Sequence, residues 1–136
     1  MTDAEQNKHQ PIARFDRRDI LIMLLLAILA CFLFGYGIGS YGLWDPWEPK
    51  YAITILEMTE RGDYITPYYL GLPRWTKPIA IYWAMLISSN IVGFNEIGAR
   101  LPSVLFALGC VLFTYYFMRI LHGRRPAVLA SGVLMT

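Results

Sequence analysis

Ten of the 22 charged residues lie between residues 41 and 96, a segment that lies between two long uncharged runs of the chain. Two carboxylates, Asp45 and Glu48, stand at the start of this segment beside Trp44 and Trp47. A carboxylate at a membrane surface is partly removed from water, which raises the pKa of such a group toward the range useful for a general base. Asp45 and Glu48 are therefore the candidate catalytic residues. The other charged residues of the segment are Lys50, Glu57, Glu60, Arg61, Asp63, Arg74, Lys77 and Glu96.

The same two acids also have a structural explanation. With Asp45 as N-cap, Pro46 would occupy the first helical position, and Glu48 would complete a capping box three residues after the cap. Apolar residues recur at helical spacing after this box, and Gly62 follows as a stop. The pattern therefore predicts a helix that ends before Gly62, with the acids at its start.

Two cations are candidate ligands for a phosphate. Lys77 stands just before Pro78 and an apolar run, where its ammonium can bind a phosphate oxygen at the bilayer surface. An interfacial anchor that extends toward lipid headgroups explains Lys77 equally well. Arg100 can act in the same way as Lys77, or it can simply flank the apolar run that begins at Leu101.

Aromatic residues recur through the same segment and have two explanations. They can stack on sugar rings or contact an isoprenoid chain, or they can form an interfacial belt. The residues are Tyr64, Tyr68, Tyr69, Trp75, Tyr82 and Trp83.

The remaining residue types predict no further site. Cys31 and Cys110 both lie in apolar runs and indicate neither a disulfide nor a metal site. His9 and His122 have no acidic or cysteine partner at metal-ligand spacing. The 12 basic and 10 acidic residues are spread along the chain, so no dense basic patch indicates a nucleic-acid partner.

The elements that must position these residues are predicted to be membrane helices. Of the 136 residues, 56% are hydrophobic and 16% charged, which excludes intrinsic disorder and argues against an ordinary soluble domain. Because about 20 apolar residues cross a bilayer, residues 20–40 and 97–121 are predicted as two full transmembrane helices. Residues 127–136 are predicted as the start of a truncated third. The expected fold class is all-α, a polytopic transmembrane helical protein, and the chain is expected to be a piece of a longer one.

The distribution of Lys and Arg predicts the orientation. Residues 1–19 are expected to be a cytoplasmic tail, 122–126 a cytoplasmic turn, and 41–96 a large external loop with juxtamembrane helices. If the apolar run 78–95 crossed the membrane, the basic cluster at 119–125 would lie on the outside. Because Ser88, Ser89 and Asn90 divide this run into short pieces, it is expected to form one or two helices in the outer interface.

The order of several short motifs resembles the amino-terminal part of one family of membrane glycosyltransferases. These enzymes are related to the dolichyl-phosphate-mannose protein mannosyltransferases and to the lipid A aminoarabinose transferase. The motifs run from Leu43 to Ala52, from Gly62 to Pro67, from Gly71 to Pro73, and through Lys77-Pro78, Tyr82-Trp83 and Ala99 to Ser103.

The resemblance implies the C-type (GT-C) glycosyltransferase fold in a bacterial inner (plasma) membrane. It also implies transfer of a sugar from a polyprenyl-phosphate carrier to a lipid, glycan or protein acceptor on the non-cytoplasmic face. Glu48 matches the second acid of the family's Asp-Glu pair, whereas Trp47 replaces the first. Asp45 matches an aspartate that some members carry two residues before the pair.

The family's substrate-binding residues carry over in part. Lys50 and Tyr51 match an Arg-Tyr pair beside the carboxylates, and Lys77 matches the lysine expected to hold the carrier phosphate. Thr76 replaces the acid that usually precedes that lysine.

The resemblance implies a mechanism with two groups of residues. Glu48 or Asp45 would deprotonate or orient the acceptor hydroxyl, and Lys77, with Lys50 or Arg100, would stabilise the departing phosphate. No cofactor is assigned; a divalent metal is possible, but the missing acids favour a clamp of lysine and arginine. The alternative is a catalytically inactive relative or a transporter-like membrane protein.

Overall fold

The computed structural model describes residues 15–40, 42–43 and 47–136. The described part of the chain is mostly helical, and the elements, in chain order, are α1 (Arg17–Gly35), α2 (Trp47–Arg61), β1 (Tyr68–Tyr69), β2 (Leu72–Pro73), α3 (Ile79–Val92), α4 (Glu96–His122) and α5 (Arg124–Leu134). β1 and β2 pair in antiparallel fashion. The all-α expectation is therefore right for the helices but missed this small hairpin, because strands of two residues leave no alternating pattern in the sequence.

Helices α1 and α4 are long and apolar enough to cross a membrane, judged by length and composition. α1 begins three residues before the predicted start at 20 and ends at Gly35 rather than at 40. The chain turns just after that end, where Gly37 has a φ of 73°. α4 extends one residue beyond the predicted range 97–121 at each end.

Helix α3 is one continuous helix of 14 residues. The prediction that Ser88, Ser89 and Asn90 divide this run was wrong. The Asn90 side chain donates to the carbonyl of Leu86 at 2.8 Å, and both serines are buried, so the polar side chains are accommodated within the helix. A helix of this length rises about 21 Å, which is less than the roughly 30 Å of a hydrocarbon core.

The chain divides into two compact units, Met1–Phe34 with Ala107–Thr136 and Gly35–Phe106. In the described part of the first unit, apolar side chains of α1, α4 and α5 form the core. The buried members are Leu26, Ala30, Val111, Tyr115, Ala127 and Met135.

A polar cluster lies at one end of the first unit. Asp19 of α1 is completely buried and accepts hydrogen bonds from Arg119 Nε at 2.9 Å, Arg124 Nε at 2.9 Å and Tyr115 Oη at 3.0 Å. Arg124 also pairs with Asp16 at 2.9 Å. The start of α1, the end of α4 and the start of α5 are therefore joined by ion pairs.

In the second unit α2 packs on α3 and on the hairpin. Its core contains Ile55, Met58, Tyr82, Met85 and Leu86. As predicted, α2 ends just before Gly62, whose φ of 66° is one that glycine adopts without strain.

Two acids of the charged segment shape the loops of the second unit. The Glu57 carboxylate accepts the backbone N–H groups of Leu70 at 2.6 Å and Gly71 at 3.0 Å, in the hairpin turn. Asp63 Oδ1 accepts the backbone N–H groups of Ile65 and Thr66, both at 3.0 Å. Those backbone hydrogen bonds hold the pKa of Asp63 below its usual value. Glu57 and Asp63 therefore have a structural role.

Candidate functional site

Glu48 and Arg100 form a bidentate ion pair in the second unit. Arg100 Nε donates to Glu48 Oε1 at 3.0 Å, and Nη2 donates to Oε2 at 2.6 Å. The Arg100 side chain is 12% exposed and that of Glu48 is 35% exposed. A planar guanidinium that binds both carboxylate oxygens fixes the orientation of the carboxylate. Sequence reasoning proposed a role for each residue but did not predict the pair.

Arg100 also reaches the backbone that follows α1. Its Nη1 donates to the carbonyl of Ile38 at 2.8 Å, and Nη2 donates to the carbonyl of Gly42 at 2.9 Å. These contacts join the first turn of α4, the start of α2 and the segment after α1. These contacts give Arg100 a positioning role. That Arg100 binds phosphate stays a prediction.

A cavity of about 170 Å³ adjoins the ion pair. Two predicted site residues besides Arg100 line it: Glu48, the candidate base, and Tyr51, one helical turn further along α2. The remaining lining residues are Ile81, Met85, Ala99 and Ser103. The cavity therefore presents one oriented carboxylate among mainly apolar side chains.

A second, larger cavity of about 390 Å³ carries the cations, and we call it the basic pocket. It is lined by Lys50, Arg74 and Lys77, with Thr76 and the apolar or aromatic side chains of Trp47, Tyr69, Leu72 and Pro73. No acid belongs to the described lining. The two lysines predicted to bind phosphate thus lie at one cavity, and three positive charges without a carboxylate favour an anion there.

The first turns of α2 connect the two cavities. Trp47 and Lys50 line the basic pocket, whereas Glu48 and Tyr51 line the cavity of the ion pair. Consecutive residues of a helix point about 100° apart, whereas residues three positions apart lie close together on its surface. Trp47 and Lys50 therefore lie on one face of α2, and Glu48 and Tyr51 lie on another. One short stretch of helix therefore presents a cation, Lys50, to one cavity and a carboxylate to the other.

Arg74 lies between two tyrosine rings. Its Cζ is 5.4 Å from the ring centroid of Tyr51 and 5.3 Å from that of Tyr69. The same guanidinium lines the basic pocket, while Tyr51 lines the cavity of Glu48. Sequence analysis gave Arg74 no role, although it stands only three residues before Lys77.

Part of the aromatic run is explained by packing. Trp83 Nε1 donates to the carbonyl of Tyr64 at 2.7 Å, and Tyr82 is completely buried against Tyr51. Burial raises the pKa of the Tyr82 hydroxyl. Trp75 is exposed and is open to contact with lipid or substrate.

Asp45, the second candidate catalytic residue, lies outside the described residues. Among the residues the structure describes, no three His, Cys, Asp or Glu side chains come together to hold a metal ion. Of the described residues lining its cavity, Glu48 is the single carboxylate, and it binds the Arg100 guanidinium. These described side chains alone supply fewer oxygen ligands than a divalent metal takes.

Comparison with known proteins gives consistent matches. Residues 76–136 match the family model described as dolichyl-phosphate-mannose-protein mannosyltransferase. An undecaprenyl phosphate-alpha-4-amino-4-deoxy-L-arabinose arabinosyl transferase of Pseudomonas paraeruginosa is 34% identical over 119 residues, which is 88% of this chain and 21% of that protein. Its counterpart in Edwardsiella ictaluri is 36% identical over 95 residues, which is 69% of this chain and 17% of that protein. A protein of Aquifex aeolicus is 31% identical over 83% of this chain and 23% of its own length.

These matches confirm the resemblance found in the motifs: the chain is similar to part of the protein mannosyltransferases and of the aminoarabinose transferases. The chain spans about a fifth of the length of the curated relatives it matches. No solved structure matches the chain.

Proposed function

We propose that this chain belongs to an integral membrane glycosyltransferase that moves a sugar from a polyprenyl-phosphate carrier to a lipid, glycan or protein acceptor on the non-cytoplasmic face. The observation that carries the proposal is that two cavities adjoin the start of α2: one whose described lining holds three cations and no acid, and one whose described lining holds an oriented carboxylate. The names of the relatives, which specify an undecaprenyl phosphate-linked aminoarabinose, support this class of donor.

The carrier phosphate would bind in the basic pocket. Lys77 and Lys50 supply compact ammonium groups, which suit phosphate oxygens at a membrane surface. As the glycosidic bond breaks, its electron pair moves to the phosphate oxygen, and the carrier changes from a phosphodiester to a phosphate monoester with more negative charge. Fixed cations stabilise this charge most strongly in the transition state.

The acceptor hydroxyl would enter from the cavity of the ion pair. Glu48 or Asp45 accepts the hydroxyl proton while the acceptor oxygen forms a bond to the anomeric carbon. Arg100 holds the Glu48 carboxylate by two hydrogen bonds and thereby sets its direction. Arg100 acts through Glu48 in this scheme and is a positioning residue.

The proposed topology has the amino-terminal tail 1–19 and the turn 122–126 on the cytoplasmic side of a bacterial inner membrane. The ion pairs of Asp19 with Arg119 and Arg124 support it, because they join the start of α1 to the end of α4. Two helices that meet in this way run in opposite directions within their unit. Residues 41–96 would then face the outside.

The test is binding and transfer by the protein that contains this chain, purified in nanodiscs. We expect Lys77→Ala to weaken binding of a polyprenyl phosphate and Glu48→Gln to reduce transfer to a small residual rate without loss of binding. Asp45→Asn decides which acid is the base. Arg125→Ala and Glu60→Gln, which alter exposed residues outside both cavities, serve as controls.

The second candidate is a catalytically inactive relative or a transporter-like membrane protein. The pairing of Glu48 with Arg100 favours it, since a carboxylate bound on both oxygens can serve solely to join elements. Unchanged transfer in both Lys77→Ala and Glu48→Gln would contradict the site assignment. Binding of the carrier without transfer in the wild type would support the second candidate.

A further inference from the structure

Arg74 is held in place on several sides within the basic pocket. Its side chain packs against the rings of Tyr51 and Tyr69, and its Nε donates to Thr76 Oγ1 at 3.0 Å. Its backbone N–H donates to the carbonyl of Pro67 at 2.7 Å, which fixes the main chain at the end of the hairpin. An arginine constrained in this way loses little further freedom when it binds a ligand.

One donor atom of this side chain has no partner. Arg74 Nη1 is buried and makes no hydrogen bond, a state it shares among the described residues with Tyr82 Oη and Ser88 Oγ. Tyr82 packs on the same Tyr51 ring that Arg74 contacts, at 5.8 Å between ring centroids. Leaving a buried polar group unpaired is costly, and more so when the group is charged, so such groups in native proteins call for an explanation.

The other partly buried arginines provide a contrast. Arg100, Arg119 and Arg124 each bind a carboxylate. Arg74 has no carboxylate partner among the described residues, and its neighbours in the pocket are two further cations, Lys50 and Lys77. The missing counter-charge is therefore best supplied by a ligand.

We propose that Arg74 is a third phosphate ligand, whose Nη1 donates to an oxygen of the carrier phosphate beside Lys50 and Lys77. This inference rests on the proposed function, because it takes the occupant of the basic pocket to be a polyprenyl phosphate. The guanidinium offers its N–H groups to a phosphate in a fixed planar arrangement, whereas the three N–H groups of each ammonium rotate freely. Because Arg74 also contacts Tyr51, it connects the phosphate with the cavity of Glu48.

The test compares Arg74→Gln with Arg61→Gln in nanodiscs. Arg61 is a matched control, since its guanidinium also stacks on a tyrosine, 4.3 Å from the centroid of Tyr68, but it does not line the pocket. The probes are a polyprenyl phosphate and the corresponding polyprenyl alcohol. Arg74→Gln is expected to weaken binding of the phosphate by about tenfold or more, the usual effect of a lost hydrogen bond to a charged group, and to leave the alcohol unchanged.

A third variant, Arg74→Lys, retains the charge but loses the planar stack. We expect its phosphate affinity to lie between those of the wild type and Arg74→Gln. In a transfer assay, Arg74→Gln should lower kcat/KM, while Arg61→Gln should match the wild type.

Two results would overturn the inference and leave the proposed function intact. One is wild-type affinity of Arg74→Gln for the phosphate together with loss of binding in Lys77→Ala. The other is an equal loss of phosphate and alcohol binding in Arg74→Gln, which would indicate a structural role. If the wild type itself does not distinguish the phosphate from the alcohol, the proposed function is wrong, and the role of Arg74 with it.

Discussion

Two clusters of positive charge, one in each unit of the chain, differ in their partners. In the first unit Arg119 and Arg124 converge on Asp19, and Arg124 also binds Asp16, so two cations meet two carboxylates. In the second unit the basic pocket carries three cations, and its described lining contains no acid. A balanced cluster joins helices without a ligand, whereas under the proposed function the carrier phosphate supplies the anion that the unbalanced cluster lacks.

The largest effect is expected from removing the carboxylate of the balanced cluster. Asp19→Ala leaves Arg119 and Arg124 without their buried partner, and Asp19 itself is completely buried. Removing one partner of a buried ion pair is strongly destabilising, and the loss is moderated here because the Arg124 side chain is 32% exposed and keeps Asp16 as a partner. Thermal unfolding in detergent should show a clearly lower Tm.

The control is Glu60→Ala, which removes an exposed acid of the second unit. Asp19→Ala should also leave the affinity for a polyprenyl phosphate unchanged in protein that remains folded. A wild-type Tm for Asp19→Ala would show that the cluster does not hold the helix ends together, and the contrast between the units would fail.

A smaller effect on stability but a large one on activity is expected at Arg100. Arg100→Gln removes both hydrogen bonds to Glu48, so the carboxylate loses its fixed direction. We expect transfer to fall by about a hundredfold, since a misplaced catalytic group commonly costs that much. Affinity for the carrier phosphate should change little, because Arg100 does not line the basic pocket.

The double variant Glu48→Gln, Arg100→Gln sharpens this test. If Arg100 acts through Glu48, the double variant transfers no more slowly than Glu48→Gln alone. Additive losses would instead mean that Arg100 contacts the substrate independently. Loss of carrier binding in Arg100→Gln would support the sequence-based expectation that Arg100 is itself a phosphate ligand.

Local sequence patterns predicted the helices but not the partners of their charged residues. The stop at Gly62 follows from the backbone freedom of one residue, and the long runs of α1 and α4 follow from composition. Glu48 and Arg100 are 52 positions apart in the sequence, and Asp19 and Arg119 are 100 positions apart. A local periodic pattern cannot predict which residues pair over such separations. A signal did exist at Asp19, because an acid at the edge of an apolar run requires a partner.

The sequence likewise predicted some residues of the candidate site and not others. Lys50 and Lys77 were assigned to phosphate binding through motif resemblance, and both line the basic pocket. Arg74 was not predicted, because its proposed role depends on contacts with Tyr51 of α2 and Tyr69 of the hairpin. The sequence does not show that these residues contact each other. The polar residues at the end of α3 misled the prediction, since buried serines and an asparagine that bonds the preceding turn are compatible with a continuous helix.

The smallest effect is expected from acidification of the balanced cluster. The backbone N–H of Asp19, together with Arg124, lowers the pKa of Asp16 below its ordinary value of 3.8. A pKa that is lower in the folded protein than in the unfolded chain means that folding favours the ionised carboxylate. The stabilisation by Asp16 is therefore complete at a pH above the pKa of the unfolded chain. It is lost as the pH falls through the pKa of the folded protein.

The measurement is the Tm of the wild type and of Asp16→Asn between neutral pH and pH 3. At neutral pH the wild type should melt slightly higher, because Asp16 is ionised and bound to Arg124. The difference should shrink once the pH passes below about 3.8, since protonation of Asp16 then removes the same interaction in the wild type. A difference that persists unchanged at pH 3, or that grows on acidification, would mean that the Asp16 carboxylate does not contribute through its charge.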